Sequence, residues 1–163
     1  EIVFACGGGI YTSAVDAAKK VEGAKVIGVD VDQAAVIAAY AAGEGADAAT
    51  VEGYKALTVT SAMKGLYPAT FDTLTDVIVN GNWEKYSGKI DTLGLVSADD
   101  PAANYVQIPM ESTQWADGKF TQDDYKALVK AMFDGTLTVS NDITKAAKDF
   151  ATVITVDDQG NIK

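Results

Sequence analysis

Three short apolar runs, each ending in a polar or glycine-rich cluster and each followed by a segment of helical period, most constrain what this chain can fold into. Ile2-Val3-Phe4-Ala5 is continuously apolar, the pattern of a strand covered on both faces, and Gly7-Gly8-Gly9 breaks it. The helix expected next carries Ser13 and Asp16 at capping-box spacing, with Ala14, Val15, Ala17, Ala18 and Val21 as its apolar face, and Gly23 stops it. Val26-Ile27-Gly28-Val29 reads as a second buried strand ending at Asp30, before an alanine-rich helix from about Gln33 to Ala42, closed by Gly43 and Gly45. Leu57-Thr58-Val59-Thr60 reads as a third, ending in Ser61-Ala62-Met63-Lys64. The helix after it sets Phe71, Leu74, Val77 and Ile78 on one face before Gly81-Asn82. Strand and helix alternating three times imply an α/β fold, a parallel sheet flanked by helices.

This pattern covers about residues 1–85; the remainder, about 86–163, has a different texture. Ile90 to Val96 and Tyr105 to Ile108 are expected as strands joined by a turn at Asp99-Asp100-Pro101. A helix should start at Thr121, with Asp124 completing a capping box, Phe120 and Tyr125 at staple positions and Gly135 at its end. Its core stripe is Tyr125, Leu128, Val129, Met132 and Phe133. A last strand near Val153 to Val156 and a polar turn at Asp157 to Asn161 complete the expectation. Because a chain seldom opens directly in a central strand, the sequence reads as a fragment or processed product.

Composition narrows the function classes. The chain has 163 residues, a 48% hydrophobic content sufficient for a core, and a formal net charge of −10. An acidic surface repels phosphate backbones, which disfavours a nucleic-acid partner. No apolar run is long enough to span a bilayer, and no basic patch invites anionic lipid. The absence of histidine removes the usual proton shuttle near neutral pH and the commonest metal ligand. Cys6 is the only cysteine, so an intrachain disulfide is impossible, and its expected place is as a buried small residue ending a strand.

In an open α/β sheet, ligands bind beyond the carboxyl ends of the strands. Here those ends carry Gly7-Gly8-Gly9, then Asp30-Val31-Asp32-Gln33, then Thr60 to Lys64. Glycines let backbone N–H groups approach a ligand, a carboxylate accepts from a vicinal diol, and an ammonium donates to carbonyls or ring nitrogens. Together they suit a sugar-bearing heterocycle. Each also has a plainer use: the glycines as a tight turn, Asp30 and Asp32 as helix caps, Lys64 as a solvated loop residue. An alternative is a Rossmann-type nucleotide-dependent enzyme, with Gly7-x-Gly9 and Asp30 imitating a dinucleotide fingerprint; the third glycine of that pattern is replaced by Thr12. Tyr11 reads mainly as a helix-start residue packing on the core, and Trp83 and Trp115 as packing anchors away from the strand ends.

The segments Phe4-Ala5-Cys6-Gly7-Gly8-Gly9, Val26-Ile27-Gly28-Val29-Asp30-Val31-Asp32-Gln33 and Thr60-Ser61-Ala62-Met63-Lys64 together resemble the basic membrane protein family. These are lipoprotein substrate-binding components of ABC transporters and include purine nucleoside receptors. The resemblance spans most of this chain and corresponds to the C-terminal part of the family's sequence. It implies a type 1 periplasmic-binding-protein fold with ligand between two lobes, residues 86–163 supplying hinge-crossing strands and a C-terminal helix. It implies ligand contacts from Gly7, Gly8, Gly9 and Lys64, and ribose hydroxyls bound by an aspartate of the Asp30–Asp32 segment, with Asp30 the preferred match. It also implies an extracytoplasmic protein, anchored through a lipid upstream of Glu1, that delivers a nucleoside to a permease without cofactor or catalysis. The isolated fragment is expected to self-associate through exposed apolar surface.

Overall fold

The computed structural model describes residues 1–160. Its spine is a four-stranded sheet in the order β1-β2-β3-β4, formed by Ile2–Phe4 (β1), Lys25–Asp30 (β2), Thr58–Lys64 (β3) and Val106–Gln107 (β4). The first three strands run parallel, and β4 lies antiparallel on the end of β3, pairing Met63 with Gln107 and Lys64 with Val106. The chain is an α/β protein with a mostly parallel open sheet flanked by helices.

One face of the sheet is closed by α1 (Tyr11–Ala18) and α2 (Ala34–Ala42). Alanine has the highest helix propensity, and in α2 the residues Ala34, Ile37, Ala38 and Ala41 fall on one buried stripe at three- and four-residue spacing. Ile37 meets Val15, Val26, Ala14, Ala18, Ala24 and Ala41 in the core, against which Tyr11, Tyr54 and Leu57 also pack. Each fully buried Val or Ile contributes about 1.5–3 kcal/mol. The small alanines between them let the helices approach β2 closely.

Several elements differ from the sequence expectation. The strand expected at the centre, β1, is an edge strand whose three residues are all exposed; the better-covered strand is β2, with Val26, Gly28 and Val29 buried. Ser61 to Lys64 continue β3 instead of ending it. The Ser13–Asp16 capping box does not form, because a tight turn at Gly8–Ile10 feeds the helix from Tyr11, and Asp16 instead accepts a hydrogen bond from Tyr40 Oη at 3.1 Å. An additional helix, α3 (Ala48–Tyr54), starts where Asp47 Oδ1 accepts from Thr50 N at 2.8 Å. Beyond β3, α4 (Leu66–Leu74) continues as a π-helical turn, Thr75–Val79, and a short α5 (Trp83–Tyr86) follows. Phe71, Leu74 and Ile78, expected to face a core, are exposed, since the main neighbour of α4 is its own continuation.

Ile90 to Val96 is irregular, not a strand. The fully buried side chain of Asn104 takes its backbone: Oδ1 accepts from Val96 N at 2.6 Å and Ser97 N at 2.8 Å, and Nδ2 donates to Ser97 O. Backbone groups bound by a side chain are withdrawn from any ladder. Val153 to Val156 is irregular too, so among the described residues the only strand formed in the second half is β4. In the polar turn near the end, Gly160 N donates to Asp158 Oδ1, while Asn161 lies outside the described residues. The last helix, α6 (Gln122–Phe133), follows expectation: Thr121 and Asp124 form a reciprocal capping box. At its other end Gly135 N donates to Met132 O and Thr136 N to Ala131 O, the paired bonds of a Schellman end. Tyr125 and Val129 are buried and Leu128 and Met132 half-buried, whereas Phe133 is exposed. Trp115 lies against both Phe120 and Tyr125, at 6.5 and 6.0 Å between ring centroids.

Candidate functional site

The parallel register brings the ends of β1, β2 and β3 to one edge of the sheet. Phe4 pairs with Ile27, and Asp30 with Met63, so the glycine turn, Asp30 and Lys64 all follow from the same end. Both β1 and β2 leave the sheet through three-residue turns. Gly7 N donates to Ala5 O across Cys6, and Val31 N donates to Val29 O across Asp30, each at 2.8 Å.

The turn at Asp30 forces its backbone to φ +69°, and among the described residues it is the only non-glycine residue at positive φ. Aspartate tolerates the left-handed region better than most residues, yet such conformations cost about 1–3 kcal/mol. Its side chain sits where this backbone directs it: Oδ1 lies 2.6 Å from Lys64 Nζ. That oxygen is shielded from solvent and takes no other partner, whereas Lys64 is 62% exposed and directs the rest of its ammonium outward. The Asp30 carboxylate raises the Lys64 pKa above its usual value, first through their hydrogen-bonding contact and then through its charge, with partial burial opposing. A lysine held cationic beside a carboxylate offers a donor and an acceptor side by side.

Asp32 takes the plainer role. Its Oδ1 accepts from Ala34 N at 3.1 Å at the start of α2, and its Oδ2 accepts from Ser112 Oγ at 2.7 Å. It faces an open groove of about 530 Å³ with Glu52, Lys55, Glu111 and Gln114, apart from the Asp30–Lys64 pair. Gln33 and Ser61, which belong to the same sequence segments, are structural as well. Buried Gln33 donates from its backbone N to Ser61 Oγ at 3.0 Å and accepts from Val29 N through Oε1 at 2.9 Å. Gly28 is needed for that network, since a Cβ there would stand 2.5 Å from Ser61 Oγ and 2.8 Å from Gln33 Cβ.

The glycines of the first turn are not explained in this way. A Cβ on Gly8 or Gly9 would meet no atom within 4 Å, neither residue has positive φ, and Gly7 is in extended backbone. Neither internal packing nor backbone conformation requires glycine at 8 or 9, so the bare main chain faces open space. Cys6, expected to be buried, is exposed beside them. Tyr11 packs on the core as expected, edge-on to Tyr40 at 6.0 Å.

Sequence reasoning missed a second polar cluster. Asp76, on the π-helical turn, accepts from Asn80, Asn82, Lys85 and Tyr86 side chains at 2.7–3.2 Å. The Lys85 ammonium first, then the Asn82, Tyr86 and Asn80 donors, hold its carboxyl far below the usual carboxylate range. All four donors end on one carboxylate, so the cluster is a closed structural node that locks α5 onto the turn. The run of Asn, Asn, Lys and Tyr at 80, 82, 85 and 86 is its only signal in the sequence. Compared with protein-family models, curated proteins and solved structures, the chain matches none.

Proposed function

We propose that this chain is the C-terminal part of a type 1 periplasmic-binding-protein-like receptor, a lipid-anchored extracytoplasmic component that passes a nucleoside-like ligand to an ABC transporter permease. On this reading it is a binder and not an enzyme. Gly8 and Gly9 present backbone N–H groups to the ligand, Gly7, whose own N–H is held by Ala5 O, lets the chain turn beneath it, Asp30 accepts from sugar hydroxyls, and Lys64 donates to a ligand acceptor. A purine nucleoside is the favoured ligand, and a neutral one, because phosphate would meet the field of a chain carrying a net charge of −10.

The observation that carries the reading is Asp30. A charged residue occupies a strained backbone position at the carboxyl end of a parallel strand, its carboxylate facing Lys64 beside a glycine turn that packing does not demand. Strain kept at such a place is a mark of a side chain needed for more than folding. Asp32, occupied in capping α2, contributes less on this reading than Asp30.

The test is a thermal-shift series with nucleosides, free bases, nucleotides and sugars on the full-length protein. At a hundred times its dissociation constant, a ligand should stabilise by about 2.7 kcal/mol. Asp30→Asn is the decisive variant, since asparagine accepts positive φ equally well and only the charge is lost. A charge-assisted bond of about 1.5–3 kcal/mol should disappear, a loss of roughly ten- to a hundredfold in affinity. No shift with any nucleoside, alongside a shift with a sugar, peptide or metal, would reject the assignment.

A further inference from the structure

The face of the sheet away from α1 and α2 is only partly covered. Between it and α6 lies a cleft of about 390 Å³, floored by Phe4, Val29 and Ala62 and roofed by Tyr125, Leu128 and Met132. Packed interiors leave few voids larger than a water molecule, and a volume in the range of roughly 300–1,000 Å³ is that of a ligand pocket. Water gains little there, because the walls are almost wholly apolar. Four polar side chains interrupt them: the Cys6 thiol, Gln107, whose amide nitrogen is spent on Ala102 O and Asn104 O, and Lys64 and Tyr125. Lys64 stands at the mouth, joined to Asp30. Tyr125, only 9% exposed, accepts from Ile108 N at 3.2 Å, and among the described residues its own hydroxyl proton has no acceptor.

We propose that this cleft binds an uncharged aromatic ring carrying a hydrogen-bond acceptor. The methionine thioethers of Met63 and Met132, both lining the cleft, are suited to the edges of an aromatic ring. The Tyr125 hydroxyl supplies the missing donor. Charge is excluded because an ionised group would lose its hydration among apolar walls, and the two ions at the mouth already neutralise each other. Taken with the binding reading above, on which this clause rests, the ring of the ligand enters the cleft while its sugar stays at Asp30.

The experiment uses the chain's three methionines as reporters. Met63 and Met132 line the cleft and Met110 does not. With methyl-13C-methionine protein at pH 8, benzimidazole should shift the Met63 and Met132 methyl signals saturably and leave Met110 in place. Ala62→Leu, which fills the floor, should weaken this binding at least tenfold while the melting curve stays cooperative. Should that variant unfold, the site-selective pattern in the parent protein decides by itself. Absent or uniform methyl shifts overturn the cleft proposal, and so does unchanged binding in a folded Ala62→Leu protein. Benzimidazole riboside separates the two readings. Tight binding of the riboside that depends on Asp30, without movement of Met63 and Met132, keeps the receptor reading and rejects the cleft. Methyl shifts that are equal for ring and riboside and indifferent to Asp30→Asn keep the cleft and reject the sugar site.

Discussion

Gly28→Ala should be among the most destabilising single-methyl additions in this chain. The new Cβ would stand 2.5 Å from Ser61 Oγ, 2.8 Å from Gln33 Cβ and 3.1 Å from Gln33 Oε1. Ser61 is fully buried and Gln33 nearly so, which leaves neither an outward escape. Overpacking of this kind costs about 1–3 kcal/mol. Moving Gln33 also breaks its bonds to Val29 N and Ser61 Oγ, each worth about 0.5–1.5 kcal/mol net. The sum is about 2–6 kcal/mol, against a total stability on the order of 5–15 kcal/mol for a domain. Urea unfolding followed by far-UV circular dichroism measures it, with the slope checked for constancy so that the midpoint shift reports stability alone. Ser61→Ala in the same background removes the shortest contact, yet the Gln33 Cβ clash remains, so it should recover only part of the loss. A cost below about 1 kcal/mol would show that β2 and the start of α2 are not locked together.

Two further outcomes concern α6 and the turn that follows α4. Thr121→Ala removes the hydroxyl that accepts from Asp124 N and should cost about 0.5–2 kcal/mol, read from the same urea midpoint. Asp76 has a folded pKa far below the unfolded value of about 3.9, so its contribution is fully present above that value and is lost as pH falls through the folded pKa. Asp76→Asn should therefore weaken hydrogen-exchange protection around residues 80–87 at neutral pH and flatten the local response to acid. Protection unchanged from the parent at pH 7 would refute the role of that carboxylate as the node.

How much was legible in the sequence follows from the range of the interactions involved. Alternating apolar runs and capping signals act within a few residues, so β2, β3, α2 and α6 with its Thr121–Asp124 box could be read directly, as could the parallel sheet and the shared edge of Gly7, Asp30 and Lys64. The helix α3 escaped notice because its only start signal is Asp47, without an acid at the third helical position. Whether an apolar run is central or at an edge depends on its neighbours: Ile2 to Phe4 and Val26 to Val29 look alike in sequence, and only pairing placed the first at the rim. Ile90 to Val96 has strand-like residues, yet one buried side chain, Asn104, claimed its backbone from up to eight positions away. The roles within the segment 28–33 also needed coordinates. Nothing in the sequence marks Gly28, inside the strand, or Gln33, just past it, as partners in one buried network. The cap by Asp32 is local, two residues from Ala34, and was open to sequence reading; tertiary packing alone made Gly28 and Gln33 structural and left Asp30 strained beside Lys64, because contacts between β2, α2 and β3 join residues about thirty positions apart.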